Sequence, residues 1–336
     1  MSDHEIFEAG DVLLQSGMTL RGARLAYATH GALNRDKNNV VIILTPFGAR
    51  HGDCEYLFGD GRAVDPGKHF IIIPNLLGNG LSSSPSNTPP PFDRARFPNI
   101  SIYDNVRLQH RLVSDILGID KVALVMGHSM GSLQTFQWAA LFPDMVERIA
   151  PICGAARTSR HNRVFLAGMK AVLELDPAWR QGWYDEPPVM GLRTLGRAWA
   201  ASPPSQGFYR QEKYLELGFS SIEDFLTGYW ERMFLSLDAN NILTHIWTWR
   251  HADISANSLH GGDFEKALGA IKAKAIVMPG QTDIYFPPED SAYEVAHMAN
   301  AAYRPIPSIW GHWAGAAKSP ADGVFIDKAL KELLAD

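Results

Sequence analysis

The sequence predicts an α/β protein: a mostly parallel central sheet with helices on both faces, interrupted by an inserted all-helical lid. Three observations predict it. Short, wholly apolar runs alternate with segments of helical period over roughly the first 155 residues; that alternation stops between 156 and 262; and a strand-like run resumes at 273. The expected division is therefore an α/β core made of 1–155 and 263–336, with the helical lid at 156–262.

Taken in order, "DVLLQSG" (11–17) and "RLAYATHG" (24–31) read as an antiparallel pair feeding the sheet. "VVIILT" (40–45), "HFIIIPN" (69–75), "KVALVM" (121–126), "RIAPIC" (148–153) and "AKAIVM" (273–278) lack polar alternation, as strands covered on both faces do. "SIYDNVRLQHRLVSDILGI" (101–119) has Ser101 as an N-cap and apolar residues three to four apart, so it reads as helix. "MGSLQTFQWAALFPD" (130–144) is a second helix, ended by Pro143. Strand–helix–strand units of this kind imply parallel pairing. The Ser/Pro-rich stretch 81–98 is a surface loop. The lid holds six of the nine tryptophans, and its clearest helical patterns are 187–204 and 221–238.

Composition narrows the function. A net charge of −5 leaves no basic stripe for nucleic acid, so no nucleic-acid partner is expected. No apolar run reaches the ~18 residues of a membrane span, and the opening "MSDHEIFEAGD" has no signal-peptide core, so a soluble cytoplasmic protein is expected. Cys54 and Cys153 make neither a disulfide framework nor a metal site. Gly78 and Gly80 lack the third glycine of a dinucleotide fingerprint. Arg157, Arg160 and Arg163 read as a solvated helix face. No cofactor and no metal are expected.

The chemistry centres on Gly127-His128-Ser129-Met130-Gly131, a G-x-S-x-G match between a buried strand and a helix. A serine on so tight a strand-to-helix turn is a nucleophile elbow, with glycines where the helix packs too close for a Cβ. A serine hydroxyl needs a base, and that base an acid, both beyond later strands. Asp283, on the Gly/Pro-punctuated loop after the fifth buried run, is the candidate acid, with Asp290 as the fallback. His312, on a glycine turn after the last strand-like segment, is the candidate base. His110 sits within a helix, His245, His251 and His260 belong to the lid or its edge, and His128 is expected to point away from Ser129. Backbone N–H groups of Met130 and Phe47 are the expected oxyanion donors, with Gly48 permitting the turn and Pro46 having no N–H to give.

These residues sit within longer stretches that identify a family. "GDGRAVDPGKHFIIIPNLLGNGLSSSP", "SIYDNVRLQHRLVSDILGI", "GHSMGSLQTFQWAALFPDMVERIAPICGAAR", "DPAWRQGWY", "GLRTLGRAWA" and "TDIYFPPED" resemble homoserine O-acetyltransferases and their relatives in the α/β-hydrolase superfamily, over nearly the whole chain. The resemblance implies a Ser-His-Asp triad at Ser129, His312 and Asp283, and a helical lid through which two copies pair. It also implies that Arg197 grips a substrate carboxylate, against the alternative of capping a helix or pairing with a lid acid. Two departures bear on activity. The transferases read G-G-S-M-G-G where this chain has His128 and Ser132, and they follow the catalytic histidine with an aspartate for the acceptor's ammonium, where this chain has Trp313. A tryptophan offers such an ammonium only a cation–π contact. The expectation is hydrolysis of a small acyl ester through an acyl-enzyme. The alternatives are O-acyl transfer, with acetyl-CoA as co-substrate, and a non-catalytic ligand receptor.

Overall fold

The computed structural model describes residues 3–335; Met1, Ser2 and Asp336, the first two belonging to the acidic opening stretch, lie outside the described residues. Among the described residues, one sheet holds β1 (Glu5–Leu13), β2 (Thr19–His30), β3 (Val40–Leu44), β4 (Phe70–Pro74), β5 (Leu124–His128), β6 (Arg148–Ile152), β7 (Lys274–Val277) and β8 (Ala301–Tyr303). Their spatial order is β1-β2-β4-β3-β5-β6-β7-β8. β1 pairs with β2 and β2 with β4 in antiparallel fashion, and all the remaining pairs are parallel.

The five apolar runs form β3 to β7 for the expected reason. Residues of alternate parity feed opposite faces: Ile42, Leu44 and Val125 join one apolar cluster, while Val41, Ile43, Leu124 and Met126 join the other. Helices α1 (Ile102–Arg111) and α2 (Met130–Leu141) contribute to the first cluster, and α11 (Pro320–Ala335) covers the second through Ile326, Ala329, Leu330 and Leu333. Ser101 caps α1 as expected: its side chain accepts the Asp104 N–H at 3.1 Å, while Asp104 returns the bond to the Ser101 N–H.

Several boundaries differ from the sequence-based expectation, β2 among them, which begins at Thr19 rather than Arg24. β1 begins at Glu5, and Gln15 to Gly17 form the turn, because β1 is an edge strand whose charged residues can face water. β5 runs to His128, so the strand delivers Ser129 directly to the turn. The last strand is only Ala301–Tyr303; Ile306 adds a single bridge to Gly280, and His312 follows on a short helical turn rather than directly after a strand.

Between β6 and β7 lie α3 (Arg160–Glu174), α4 (Val189–Trp199), α5 (Gln206–Arg210), α6 (Ile222–Phe225), α7 (Arg232–Leu235), α8 (Ala239–Arg250) and α9 (Phe264–Gly269); α10 (Pro288–Ala296) precedes β8. Apolar residues of this segment, among them Leu166, Trp199, Phe234 and Trp249, belong to the same cluster as the sheet face beneath them. The helices thus share the core rather than enclosing one of their own. Arg157 packs its guanidinium over the Phe264 ring at 3.9 Å, and Arg160 and Arg163 are exposed, as a solvated face should be.

Candidate active site

The parallel strands deliver their loops to one end of the sheet, where ligand crevices of open α/β sheets form. Ser129 stands there between β5 and α2 with φ 60° and ψ −122°. A non-glycine residue in that region is strained, and such strain persists only where the surroundings enforce it. Here they do. A Cβ on Gly127 would lie 2.6 Å from the Gly131 backbone, and one on Gly131 would lie 2.2 Å from the Leu44 carbonyl oxygen. The Ser129 N–H donates to the Ile152 carbonyl at 3.0 Å, tying the turn to β6. A buried amide chain fixes α2 from below: Trp138 Nε1 donates to Gln109, Gln109 to Gln134, and Gln134 to the Thr45 carbonyl.

His312 and Asp283 come together as the sequence suggested. His312 Nδ1 lies 2.7 Å from Asp283 Oδ2, and the other carboxylate oxygen accepts the N–H groups of Tyr285 (2.8 Å) and Phe286 (3.2 Å). That arrangement places the proton on Nδ1 and leaves Nε2 as the basic nitrogen. Asp290 sits in the first turn of α10, and it is Asp283 that bonds the imidazole. Ser129 and His312 line one cavity of about 390 Å³. All three side chains belong to nearly buried residues, at 5%, 6% and 3% exposure for Ser129, His312 and Asp283.

Phe47 lines the same cavity. Its turn is closed by the Ala49 N–H on the Pro46 carbonyl, with Gly48 at φ +66°. Met130 opens α2, where an N–H has no carbonyl one turn back to bond. Phe47 thus lies in the cavity with Ser129, and Met130 follows the serine directly in the chain.

Much of the remaining wall is aromatic, with Trp199, Tyr229, Trp230, Trp249, Tyr285 and Trp313, and Asp53 and Lys318 add charged groups to it. Trp313 stacks on Trp230, with centroids 5.4 Å apart and planes 14° apart. Arg197 does not line this cavity. Its guanidinium is bound by Glu223 and Glu231, so the structure gives it the lid-acid pairing rather than an open carboxylate grip.

His128 has a contact that the sequence reading did not foresee. It also lines the cavity, its ring packs 4.6 Å from the His312 ring, and its Nε2 meets the His312 carbonyl at 3.2 Å. Burial, then the neighbouring His312, hold its pKa well below the ordinary histidine value, so it braces as a neutral ring. The sequence also missed Pro203, whose carbonyl accepts the His312 N–H at 2.8 Å, and His245, whose Nδ1 accepts the Gly48 N–H at 3.0 Å. No local signal marks either one, because each partner lies about a hundred residues or more away in sequence.

A strained serine and a histidine–carboxylate pair at the C-terminal end of a parallel sheet point to a family, and the alpha/beta hydrolase fold model matches residues 39–316. The chain belongs to the alpha/beta hydrolase fold family. Within it, this hydrolase-fold chain is similar to an ethyl acetate hydrolase of Pseudomonas veronii, 40% identical over 311 residues, covering 92% of this chain and 88% of that one. The solved structure of an acetylester hydrolase from Corynebacterium glutamicum superposes with a TM-score of 0.96 at 38% identity, covering 99% of this chain and 96% of that one. A homoserine O-acetyltransferase of Zymomonas mobilis is 32% identical over 325 residues, covering 87% of this chain and 86% of that one. The resemblance to the transferase branch holds, and esterases belong to that branch too.

Proposed function

We propose that the chain is a serine esterase that hydrolyses esters of short carboxylic acids with small alcohols. Ser129 is the nucleophile: its Oγ attacks the ester carbonyl while His312 Nε2 takes its proton. Asp283 holds the imidazole in the required tautomer and offsets the charge it gains. The N–H groups of Phe47 and Met130 receive the oxyanion, each worth about 3 kcal/mol in the transition state. Collapse breaks the C–O bond, and the alcohol leaves with the proton from His312. Water then attacks the acyl-enzyme by the same route, releasing the carboxylic acid and restoring Ser129.

Hydrolysis is preferred over transfer to an amino alcohol on one observation: Trp313, stacked on Trp230, stands where the transferases have an ammonium-binding aspartate. Arg197, already engaged by Glu223 and Glu231, supports the same choice. A transferase must outcompete water by holding its acceptor, and here the two positions that the resemblance assigns to that task, Trp313 and Arg197, offer an amino acid no free charge. The esterase needs no cofactor; acetyl-CoA enters only as the co-substrate of the transferase alternative. Residues 156–262 form the lid over the acyl-enzyme. Exposed Val164, Leu175 and Met190 on that segment support pairing of two copies through it. Buried free Cys54 and Cys153 suit a reducing cytoplasm, and no helix among the described residues is long and apolar enough to cross a membrane.

Turnover tests this directly. Purified protein should release acid from p-nitrophenyl acetate and ethyl acetate, with a burst of nitrophenol that Ser129→Ala abolishes. Failure of a fluorophosphonate to label Ser129 would point to a receptor. With acetyl-CoA and L-homoserine, O-acetylhomoserine appearing faster than free acetate would make the protein a transferase.

A further inference from the structure

We propose that Trp199, the last residue of α4, is a specificity-determining residue: it closes the end of the cavity that takes the acid half of the ester and so sets how long an acyl chain can be. This rests on the esterase reading above and names the side chain that limits its substrates.

The aromatic wall falls into two groups. Trp199 and Trp249 lie beside the Phe47 ring, with centroids 5.0 and 6.3 Å from it. Tyr229 and Trp230 lie beside Trp313, at 5.1 and 5.4 Å. An ester in this site has its carbonyl oxygen at the Phe47 and Met130 N–H groups and its leaving oxygen toward His312 Nε2, which protonates it. The acyl chain therefore extends away from the base. Trp313 follows His312 on the same short helical turn, Gly311–Ala314, so its group stands on the base's side. In the first group, Trp249 reaches Tyr285 and Phe286, whose rings pack against His312, whereas Trp199 meets Phe47, Phe165, Phe234 and Trp249. Trp199 is thus the ring at the end remote from the base.

Solvent access separates the two sides in the same way. Exposed Asp53 and Lys318 line the cavity, and the Lys318 ammonium lies 6.0 Å from the Tyr229 ring centroid, so the Trp313 side reaches water, where a released alcohol must go. The other side ends blind. Trp199 is 4% exposed, and the Phe234 and Phe165 rings stand against it at 5.2 and 5.1 Å. α4 is held close to the Trp230 backbone, where a Cβ on Gly196 would lie 2.7 Å from the carbonyl oxygen, so the helix has no slack on that side. A wall packed this closely admits an extra methylene only by displacing its own side chains.

The experiment ranks two ester series, p-nitrophenyl esters that vary the acid and acetates that vary the alcohol. For the parent, kcat/KM on p-nitrophenyl acetate should exceed that on p-nitrophenyl hexanoate by about 100-fold, within what an apolar pocket can refuse on added methylenes. Trp199→Ala should bring that ratio below about 10, while its ratio of ethyl acetate to hexyl acetate stays within about threefold of the parent's. Trp313→Ala should move the alcohol ratio and leave the acyl ratio. A Trp199 that served only to pack the helical segment would, when cut back, slow every ester alike and leave both ratios unmoved. A parent that takes hexanoate as readily as acetate, an unmoved acyl ratio in a folded Trp199→Ala, or a shift in its alcohol series instead overturns the proposal. Should Trp199→Ala not fold, Trp199→Phe, which keeps a ring in the cluster, should move the acyl ratio the same way by about threefold or more, and no movement overturns the proposal. Ser129→Ala in the same assay separates the two readings, because activity retained there removes the serine esterase itself, whatever Trp199 does.

Discussion

At the scale of single residues, the site depends on a few polar atoms whose partners are already committed. Asp283 spends one carboxylate oxygen on two backbone N–H groups and the other on His312. Asp283→Asn keeps the shape but favours the wrong imidazole tautomer, so kcat should fall by about 10³- to 10⁴-fold with the circular dichroism spectrum unchanged. A loss below tenfold in steady-state kinetics would mean that another group orients His312. Trp313→Asp introduces a carboxylate beside an aromatic wall, and acyl partitioning should shift toward amino-alcohol acceptors such as L-homoserine. An unchanged product ratio would remove the charge argument against transfer. Much of this scale was legible in the sequence: Ser129 from its glycines, Asp283 and His312 from their order after later runs. Arg197 was not, because its partners Glu223 and Glu231 lie 26 and 34 positions away and nothing local marks the pairing. His128 escaped for a related reason. Its direction depends on where His312 arrives from the far end of the chain.

At the scale of elements, the nucleophile turn is set by how closely α2 approaches β3. Gly131→Ala tests this with opposing effects. Helix propensity alone would gain about 1 kcal/mol, but the new Cβ meets the Leu44 carbonyl oxygen at 2.2 Å, a backbone atom that cannot swing aside. Contact wins. The variant should lose about 2 kcal/mol or more in urea denaturation, and its esterase rate should fall with it; a stabilised, active variant would contradict the packing. Apolar periodicity located the strands and α2 well, because burial on two faces leaves so plain a mark. It failed at β1, where half-exposed alternation with acidic residues looks like a polar tail, and at β8, too short at Ala301–Tyr303 to show any period.

At the scale of the whole molecule, burying histidines in neutral form couples folding to pH. His245 has its pKa lowered to about 4 by burial, and His128 lies well below the ordinary value for the same leading cause. Below about pH 6.5 the unfolded chain takes up protons at these rings and the folded chain does not, until about pH 4 for His245. Their contribution is therefore fully present above pH 6.5 and is lost progressively as the pH falls toward 4. The shift at His245 alone corresponds to about 3 kcal/mol. Urea midpoints measured between pH 7.5 and 4.5 should decline accordingly, and His245→Asn should flatten the curve; a flat profile in the parent would show that these rings titrate normally. The strand-like run that resumes at 273 made 156–262 an insertion in the sequence reading, but its joining to the sheet through one apolar cluster was not legible there, because no local pattern marks which helix faces meet the sheet.

The Pro203 carbonyl that receives the His312 N–H has a consequence for traffic through the site. Together with α8, it ties the helical segment that would cover the site to His312 on one side and to the Phe47 turn on the other. Swinging that cover aside would dismantle the very groups a bound ester needs. With the cover in place, reactants must instead fit a cavity of about 390 Å³, which Asp53, Tyr56 and Lys318 help to line.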